Sequence, residues 1–361
     1  MNKNSEISEK DVLRRIRSKK AGPQTRQQLA RHFEKQGIGR KEIHRLLDRM
    51  ESAGDIVRVK KGRYAVPSEI GLVVGRLEVH PRGFGFVRPS GDGEDIYING
   101  ENLSTAIDGD LVLVRLLDDR RRRSRAGEIV RVLKREKETI VGTLERMKSF
   151  YYLIPDNPAI VHDLYIAAED TAGAGEGDKV SARIISWPSR HLNPEGEVVE
   201  VLGPAGRPEV DTLAAVRQFD LREDYPEDVL REAEAAPDRV DAPARRGRKD
   251  LRDLMLFTID PDDARDFDDA VSLEKTGEGN WRLGVHIADV SHYLPFKSAL
   301  EREARERGTT VYLPARALHM LPPRLSTGIL SLRPDEERLT KSAFITYDPD
   351  GKRLNYRFYR S

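Results

Sequence analysis

The 361-residue chain contains no cysteine, which excludes a disulfide-braced fold and any zinc site built on thiolates. It also lacks a long apolar run and a signal-peptide pattern, so neither a membrane-spanning helix nor secretion is indicated. A soluble, cytoplasmic protein with no membrane partner is expected. Net charge is nearly lacking as well: 62 Lys and Arg against 61 Asp and Glu leave +1, and the total names no partner. Position is more informative. Residues 1–67 hold 18 basic against 8 acidic residues, and the remainder holds 44 against 53. A basic end joined to an acidic body suggests a polyanion-binding arm, although a solvated helical face has the same charge pattern. The length suffices for two or more domains, each with its own core.

What is abundant is aspartate in one place. The stretch TIDPDDARDFDDAV puts six aspartates between Asp260 and Asp269 against one positive charge, Arg265. Carboxylates packed this closely repel one another and raise each other's pKa values unless they bind cations or stay fully solvated. Leu254, Met255, Leu256, Phe257 and Ile259 precede the run like a buried strand. Ala270, Val271 and Leu273 follow it, so the aspartates are expected to be anchored in packed structure. A calcium loop of the EF-hand type is excluded, because Ala264, Arg265 and Val271 occupy places that need an oxygen ligand, glycine and glutamate. Magnesium suits a few hard carboxylate oxygens better. An acidic surface loop is the other reading.

Residues 1–67 read as a compact helical unit with a short hairpin. Ser8 followed by Asp11, and Thr25 followed by Gln28, form capping-box patterns that open two helices with Val12, Leu13, Ile16, Leu29 and Phe33 inward. A third helix carries Ile43, Leu46, Leu47 and Met50 and ends near Gly54; DIVRVKKGRYAV then alternates and turns at Lys61-Gly62. Three helices and a wing resemble a winged helix-turn-helix. Arg40, Lys41, His44, Arg45 and Arg49 would line its exposed third helix, ready for RNA, or the module would contact protein instead.

Beyond Pro67 the pattern changes to short β-like runs, and one stretch occurs twice. VVGRL at Val73 returns as IVGTL at Ile140, EDIYI at Glu94 as HDLYI at His162, Gly109-Asp110 as Gly177-Asp178, and GEIVRVL at Gly127 as GEVVEVL at Gly196. The constant order and an offset of about 67 to 69 residues indicate a duplicated five-strand unit of the size of a small closed barrel. The expected copies are residues 68–138 and 139–205. RGFGFV puts Phe84 and Phe86 on one face of a strand with Tyr97 on a later one, the arrangement a single strand needs for base stacking. The pair resembles tandem cold-shock domains of the OB-fold class. In the second copy SFYYLIP lacks the glycine spacing, which assigns part of the set Phe150, Tyr151, Tyr152 and Tyr165 to the core. Arg120 to Arg123 and Arg125 form a basic cluster, either a solvated loop tip or a phosphate clamp. Residues 206–250 read as a linker; at its end Arg245, Arg246, Arg248 and Lys249 either lead phosphates toward the carboxylates or are simply solvated.

DLRDLMLFTIDPDDARDFDDAVSLEK, then WRLGVHIADVSHYLP and EREARERGTTVYLP, resemble the opening of the catalytic domain of the ribonuclease II/R (RNB) family. With the helical module and two barrels ahead of it, the likeness runs along the whole chain. The fold it implies is multidomain: a winged helix-turn-helix, two β-barrel OB-fold domains, and at 251–361 the start of an α+β RNB domain. Family members are 3′-to-5′ exoribonucleases that release nucleoside 5′-monophosphates from single-stranded RNA and from structured RNA with a 3′ overhang. Carried over by motif, Asp260 and Asp269 match positions that hold magnesium. Asp266 matches a further acidic position of that metal-binding and catalytic set, and Asp268, also assigned to the metal, matches the aspartate on which hydrolysis most depends. Tyr312 in GTTVYLP matches a tyrosine that stacks on the 3′-terminal base, a strand tyrosine packed on the core being the alternative. His286, Asp289 and His292 fit a strand segment without a catalytic role and are left out of the site.

The family's catalytic domain continues with an arginine-bearing clamp and an S1-type domain that lie beyond this sequence. The chain is therefore expected to be an amino-terminal portion, monomeric and inactive alone. A non-catalytic RNA-binding or remodelling protein is the competing reading, and the acidic motif speaks against it, because unneutralised aspartates repel RNA phosphate.

Overall fold

The computed structural model describes residues 7–18, 22–117, 125–314 and 316–361. Arg120 to Arg123 of the basic cluster lie outside the described residues. The chain divides into two compact units, Met1–Phe219 and Asp220–Ser361. Among the described residues no helix is long and apolar enough to cross a membrane.

The first unit begins with α1 (Glu9–Ile16), β1 (Gln24–Thr25), α2 (Arg26–Glu34) and α3 (Arg40–Ala53). Both expected capping boxes are formed, Ser8 with Asp11 on α1 and Thr25 with Gln28 on α2. They satisfy amide donors that a helix start otherwise leaves unpaired. Ile43, Leu46, Leu47 and Met50 of α3 are buried with Val12, Ile16, Leu29 and Phe33, each fully buried side chain being worth about 1.5–3 kcal/mol. After α3, β2 (Val57–Val59) and β3 (Arg63–Ala65) complete a three-stranded antiparallel sheet of order β1-β3-β2. The hairpin turns where expected: Lys61 and Gly62 both have positive φ, 62° and 66°, which matches the twist of the flanking strands.

The duplication is visible as two barrels of one topology. The first consists of β4 (Leu72–His80), β5 (Phe84–Pro89), β6 (Ile96–Ile98), β7 (Leu111–Leu117) and β8 (Ala126–Lys134), closed in the order β4-β5-β6-β8-β7. The second consists of β9 (Thr139–Arg146), β10 (Phe150–Pro155), β11 (Leu164–Ala167), β12 (Asp178–Ser186) and β13 (Glu195–Pro204), closed as β9-β10-β11-β13-β12. In each, the third and fifth strands run parallel and every other pair runs antiparallel.

The repeated residues have physical reasons. A Cβ on Gly75 or Gly142 would collide with the carbonyl oxygen of Arg88 or Ile154 on the neighbouring strand, so these glycines permit close strand approach. Asp110 accepts from the Ile107 amide and Asp178 from the Gly175 amide, at 2.9 and 2.8 Å, the same turn in both copies. α4 (Pro208–Gln218), inside the expected linker, packs Val210 and Ala214 against Val141 and Leu202 of the second barrel.

The second unit opens with α5 (Glu227–Ala235) and the short α6 (Ala242–Arg245). β14 (Asp269–Lys275), β15 (Trp281–Ala288), β18 (Thr340–Tyr347) and β19 (Arg353–Arg360) form a four-stranded antiparallel sheet in that order. Between its strands come α7 (Val290–Tyr293), α8 (Ala299–Arg307), a hairpin of β16 (Val311–Leu313) with β17 (Arg316–Leu318), and a π-helical turn at Leu325–Ile329. Val229 and Ala233 of α5, Leu300 and Ala304 of α8, and Leu325, Ile329 and Leu339 make its core. Residues 206–250 thus contribute α4 to the first unit and α5 and α6 to the second.

One expectation fails here. Met255, Leu256, Phe257 and Ile259 are exposed rather than forming a buried strand, and Phe257 alone makes a bridge, to Val271. Apolarity over so few residues lacks a period, and without a ladder or an opposing surface it does not bury itself. Leu273, also expected to anchor the acidic run in packed structure, is exposed with Trp281, Ile287, Tyr356 and Phe358 of the same sheet, an apolar area of the kind that marks an interface.

Candidate functional site

The aspartate run is a loop pinned at several points rather than a free acidic tip. Phe257 and Val271 exchange backbone bonds of 3.1 and 2.9 Å across its entrance and exit. Inside, the buried Ser331 hydroxyl donates to the Arg265 carbonyl at 2.8 Å and accepts from the Phe267 amide at 3.1 Å. The Phe267 and Asp268 carbonyls accept from the Leu332 and Ala288 amides at 2.8 and 3.0 Å. The segment that bears Asp266 and Asp268 is therefore held from both sides by strand and turn backbone.

The pinned loop concentrates negative charge. The Asp268 carboxyl is raised above the usual carboxylate range, first by desolvation, then by the charges of Asp266, Asp269 and Asp260; His319 opposes the shift. The other three aspartates of the expected set thus lie within electrostatic reach of Asp268. Among the described residues, no three His, Asp or Glu side chains converge closely enough to grip a metal ion. The donor chemistry of the aspartates, hard carboxylate oxygens, would suit a hard divalent cation.

Tyr312 belongs to this cluster and not to the core. Its side chain on β16 is 68% exposed, and its hydroxyl donates to Asp266 Oδ2 at 2.8 Å. That bond, with desolvation and the charges of Asp266, Asp268 and Asp260, pushes the phenol up to about 12. The alternative of a packed strand tyrosine falls.

A residue that the sequence reading missed stands beside it. His319, just past β17, places Nδ1 3.6 Å from the same Asp266 oxygen, and that nitrogen is buried without a hydrogen-bond partner. The Tyr225 hydroxyl and Arg307 hold the His319 carbonyl at 2.6 and 3.4 Å. No motif marks His319; the return of the β16–β17 hairpin brings it there.

Two residues of HIADVSH, His286 and Asp289, are buried with partners of their own. His286 is buried between Ser272 and Ser342, its ring nitrogens 3.0 and 2.7 Å from their hydroxyls. Asp289 is paired with Arg248 at 2.7 Å, both side chains only 3% exposed. For Arg248 this corrects both expectations for the basic run before the carboxylates, since it is an internal counter-ion and is neither solvated nor available to phosphate. Lys249 places its ammonium over the Phe344 and Tyr359 rings, and Arg245 pairs with Glu337.

In the first unit, Phe84, Phe86 and Tyr97 form one cluster on the outside of β5 and β6, with ring centroids 5.7–5.9 Å apart. His80 stacks on Phe84 at 4.6 Å. The second barrel carries the same cluster: Phe150 lies 5.2 Å from Tyr152 and 4.9 Å from Tyr165. Tyr152 opposes Tyr165 as Phe86 opposes Tyr97. Tyr151, at the place of Gly85, packs against the barrel core, so the core assignment holds for that residue and the other three stay outside. Arg40 and Lys41 are exposed at the start of α3, and Arg40 is engaged by Glu34 at 3.3 Å.

This architecture defines a class. The family model for the RNB domain matches residues 248–361, that for the ribonuclease B OB domain residues 75–132, and that for the cold shock domain residues 152–226. Ribonuclease R of Thermotoga maritima is 41% identical over 360 residues, covering 99% of this chain and 50% of that protein. Ribonuclease R of Acidithiobacillus ferrooxidans is 37% identical over 320 residues, covering 88% of this chain and 73% of that protein. A solved structure of Mycoplasma genitalium RNase R in complex with ribose-methylated single-stranded RNA superposes with a TM-score of 0.67 at 25% identity, over 80% of this chain and 46% of that one. The chain belongs to the ribonuclease R family, and it spans about half the length of the Thermotoga relative.

Proposed function

We propose that the longer architecture to which this chain belongs is a magnesium-dependent 3′-to-5′ exoribonuclease that hydrolyses RNA to nucleoside 5′-monophosphates. The observation that carries the proposal is that one pinned loop bears Asp260, Asp266, Asp268 and Asp269, with the Tyr312 hydroxyl on Asp266 and the charges of the other three aspartates acting on Asp268. Single-stranded RNA is the substrate class favoured by the aromatic clusters of the barrels and by the RNA-bound relative. The amino-terminal helices and hairpin are read as a winged helix-turn-helix that helps to engage structured RNA with a 3′ overhang, Arg40 and Lys41 meeting phosphate from α3.

The four aspartates would hold the cation, which supplies Lewis acidity for water attack and for the charge on the leaving 3′-oxygen. The protein's own groups do the rest. Tyr312 presents an exposed ring for the terminal base, and Phe84, Phe86 and Tyr97 take bases further along the strand. The Ser331 hydroxyl and the Leu332 and Ala288 amides fix the course of the loop backbone, so the loop itself need not reorganise when phosphate arrives.

The test is hydrolysis of a 3′-labelled single-stranded RNA by the full-length enzyme, with and without magnesium, beside its Asp268→Asn variant. Loss of turnover with retained RNA binding is expected, since one charge is removed and the shape is kept. Unchanged turnover would overturn the site assignment. For these 361 residues alone, turnover is expected to be trivial, because Tyr312 and the acidic loop stand open and misplacement of a reacting end costs orders of magnitude in rate.

A further inference from the structure

One oxygen, Asp266 Oδ2, sits between two possible donors. It takes the Tyr312 hydroxyl at 2.8 Å and stops 3.6 Å short of His319 Nδ1, a buried nitrogen with no hydrogen-bond partner of its own. A buried polar atom left in that state is unfavourable. A small swing of the Asp266 carboxylate would relieve it, at the expense of the phenol bond. In the observed pose Asp266 is bonded to Tyr312, and His319 stands where a turned carboxylate could meet it.

We propose that Tyr312 is a latch on Asp266: without RNA its hydroxyl holds the carboxylate away from cation ligation, and a base stacked on its ring releases Asp266 toward His319 and the other aspartates. The inference rests on the reading of the aspartates as a cation site and of Tyr312 as a base-stacking residue. Its consequence is order of assembly. The cation site closes only when a 3′ end is in place, so a hydrolytic centre is not left complete in idle protein. Tyr312 and His319 act here as positioning residues for Asp266, through geometry alone.

The test uses Mn²⁺ as a paramagnetic probe, titrated into the 361-residue chain and followed by electron paramagnetic resonance, with and without a short non-hydrolysable single-stranded RNA. Tyr312→Phe keeps the ring and removes the hydroxyl, and because the residue is exposed the fold is not at risk. The variant should bind Mn²⁺ about tenfold more tightly than the parent without RNA, the low end for a hydrogen bond to a charged group. It should also lose most of the tightening that RNA gives the parent. His319→Leu should weaken Mn²⁺ binding in the presence of RNA and leave RNA-free binding nearly unchanged.

Equal or weaker Mn²⁺ binding by Tyr312→Phe would overturn the latch. If Asp260→Asn abolishes binding in that same experiment, the cation site itself stands and only the latch falls. If the parent binds no Mn²⁺ with or without RNA, the cation reading falls and takes the latch with it.

Discussion

Asp289→Asn separates the structural carboxylate of the second unit from those of the acidic loop. Desolvation pushes the Asp289 carboxyl up, but hydrogen bonds from Arg248 and Ser291 and the nearby charges of Arg248 and Lys341 outweigh it and hold the group below the usual range. At 2.7 Å the Coulomb attraction to Arg248 is about 6 kcal/mol at an effective dielectric of 20, and desolvation of the two ions offsets much of it. The cost of breaking the pair is set by what is left behind. Arg248 would remain buried facing neutral acceptors only, the carbonyls of Ala244, Thr340 and Ser361 and the amide oxygen of the substituted side chain, and leaving such a charge uncompensated costs about 3–5 kcal/mol. For a unit of this size that corresponds to a fall of roughly 10 °C in melting temperature. A depressed carboxylate contributes its stability above its unfolded pKa of about 3.9 and loses it as pH falls through the folded value. The gap between parent and variant should therefore be constant from about pH 5 upward and should close in stronger acid. Calorimetry across that range measures it, and Arg248→Met with Asp289→Leu should recover much of the loss. An Asn variant that melts with the parent, or that loses Mn²⁺ binding at unchanged stability, would refute the assignment of Asp289 as a structural partner.

Two further outcomes follow from the same geometry. In chelator, Asp268→Asn should melt higher than the parent at neutral pH: a carboxyl whose folded pKa is raised loses stability as pH rises through and above its ordinary range, and the amide does not; differential scanning fluorimetry should show the two curves merging below about pH 4. Phe84→Ala with Phe86→Ala should weaken binding of single-stranded RNA by about 1–3 kcal/mol per lost stack, and Phe150→Ala with Tyr152→Ala should do the same in the second barrel; filter binding at two salt concentrations should show the loss with an unchanged salt slope, because no phosphate contact is removed.

The parts of the fold legible in the sequence were those in which local chemistry and packing agree. Ser8 and Thr25 cap because a hydroxyl three residues before a carboxyl or amide side chain is a self-contained device. The repeat was readable because glycines at Gly75 and Gly142 are needed by strand contact, whatever surrounds the barrel. The stretch from Met255 to Ile259 was misread for the converse reason. Its residues are apolar, but burial depends on a partner surface that no local pattern encodes, and the backbone makes one bridge there. Tyr151 shows the intermediate case: its neighbours signal a strand, yet whether its ring turns inward depends on there being no glycine at the place of Gly85.

The candidate site divides along the same line. Four aspartates at close spacing announce themselves, since only cation binding or solvation makes such repulsion tolerable. The groups that aim them do not. Ser331 lies more than sixty residues from the Arg265 carbonyl it bonds, and His319 reaches Asp266 only because the hairpin of β16 and β17 folds back. For Arg248 neither reading of the basic run, a guide for phosphate or a solvated linker, holds, because its counter-charge, Asp289, is supplied from the far end of β15. Sequence spacing reports residues that act through charge on near neighbours. Positioning across a sheet is written in the register of strands, and the side chains that perform it carry no mark of their own until the strands are paired.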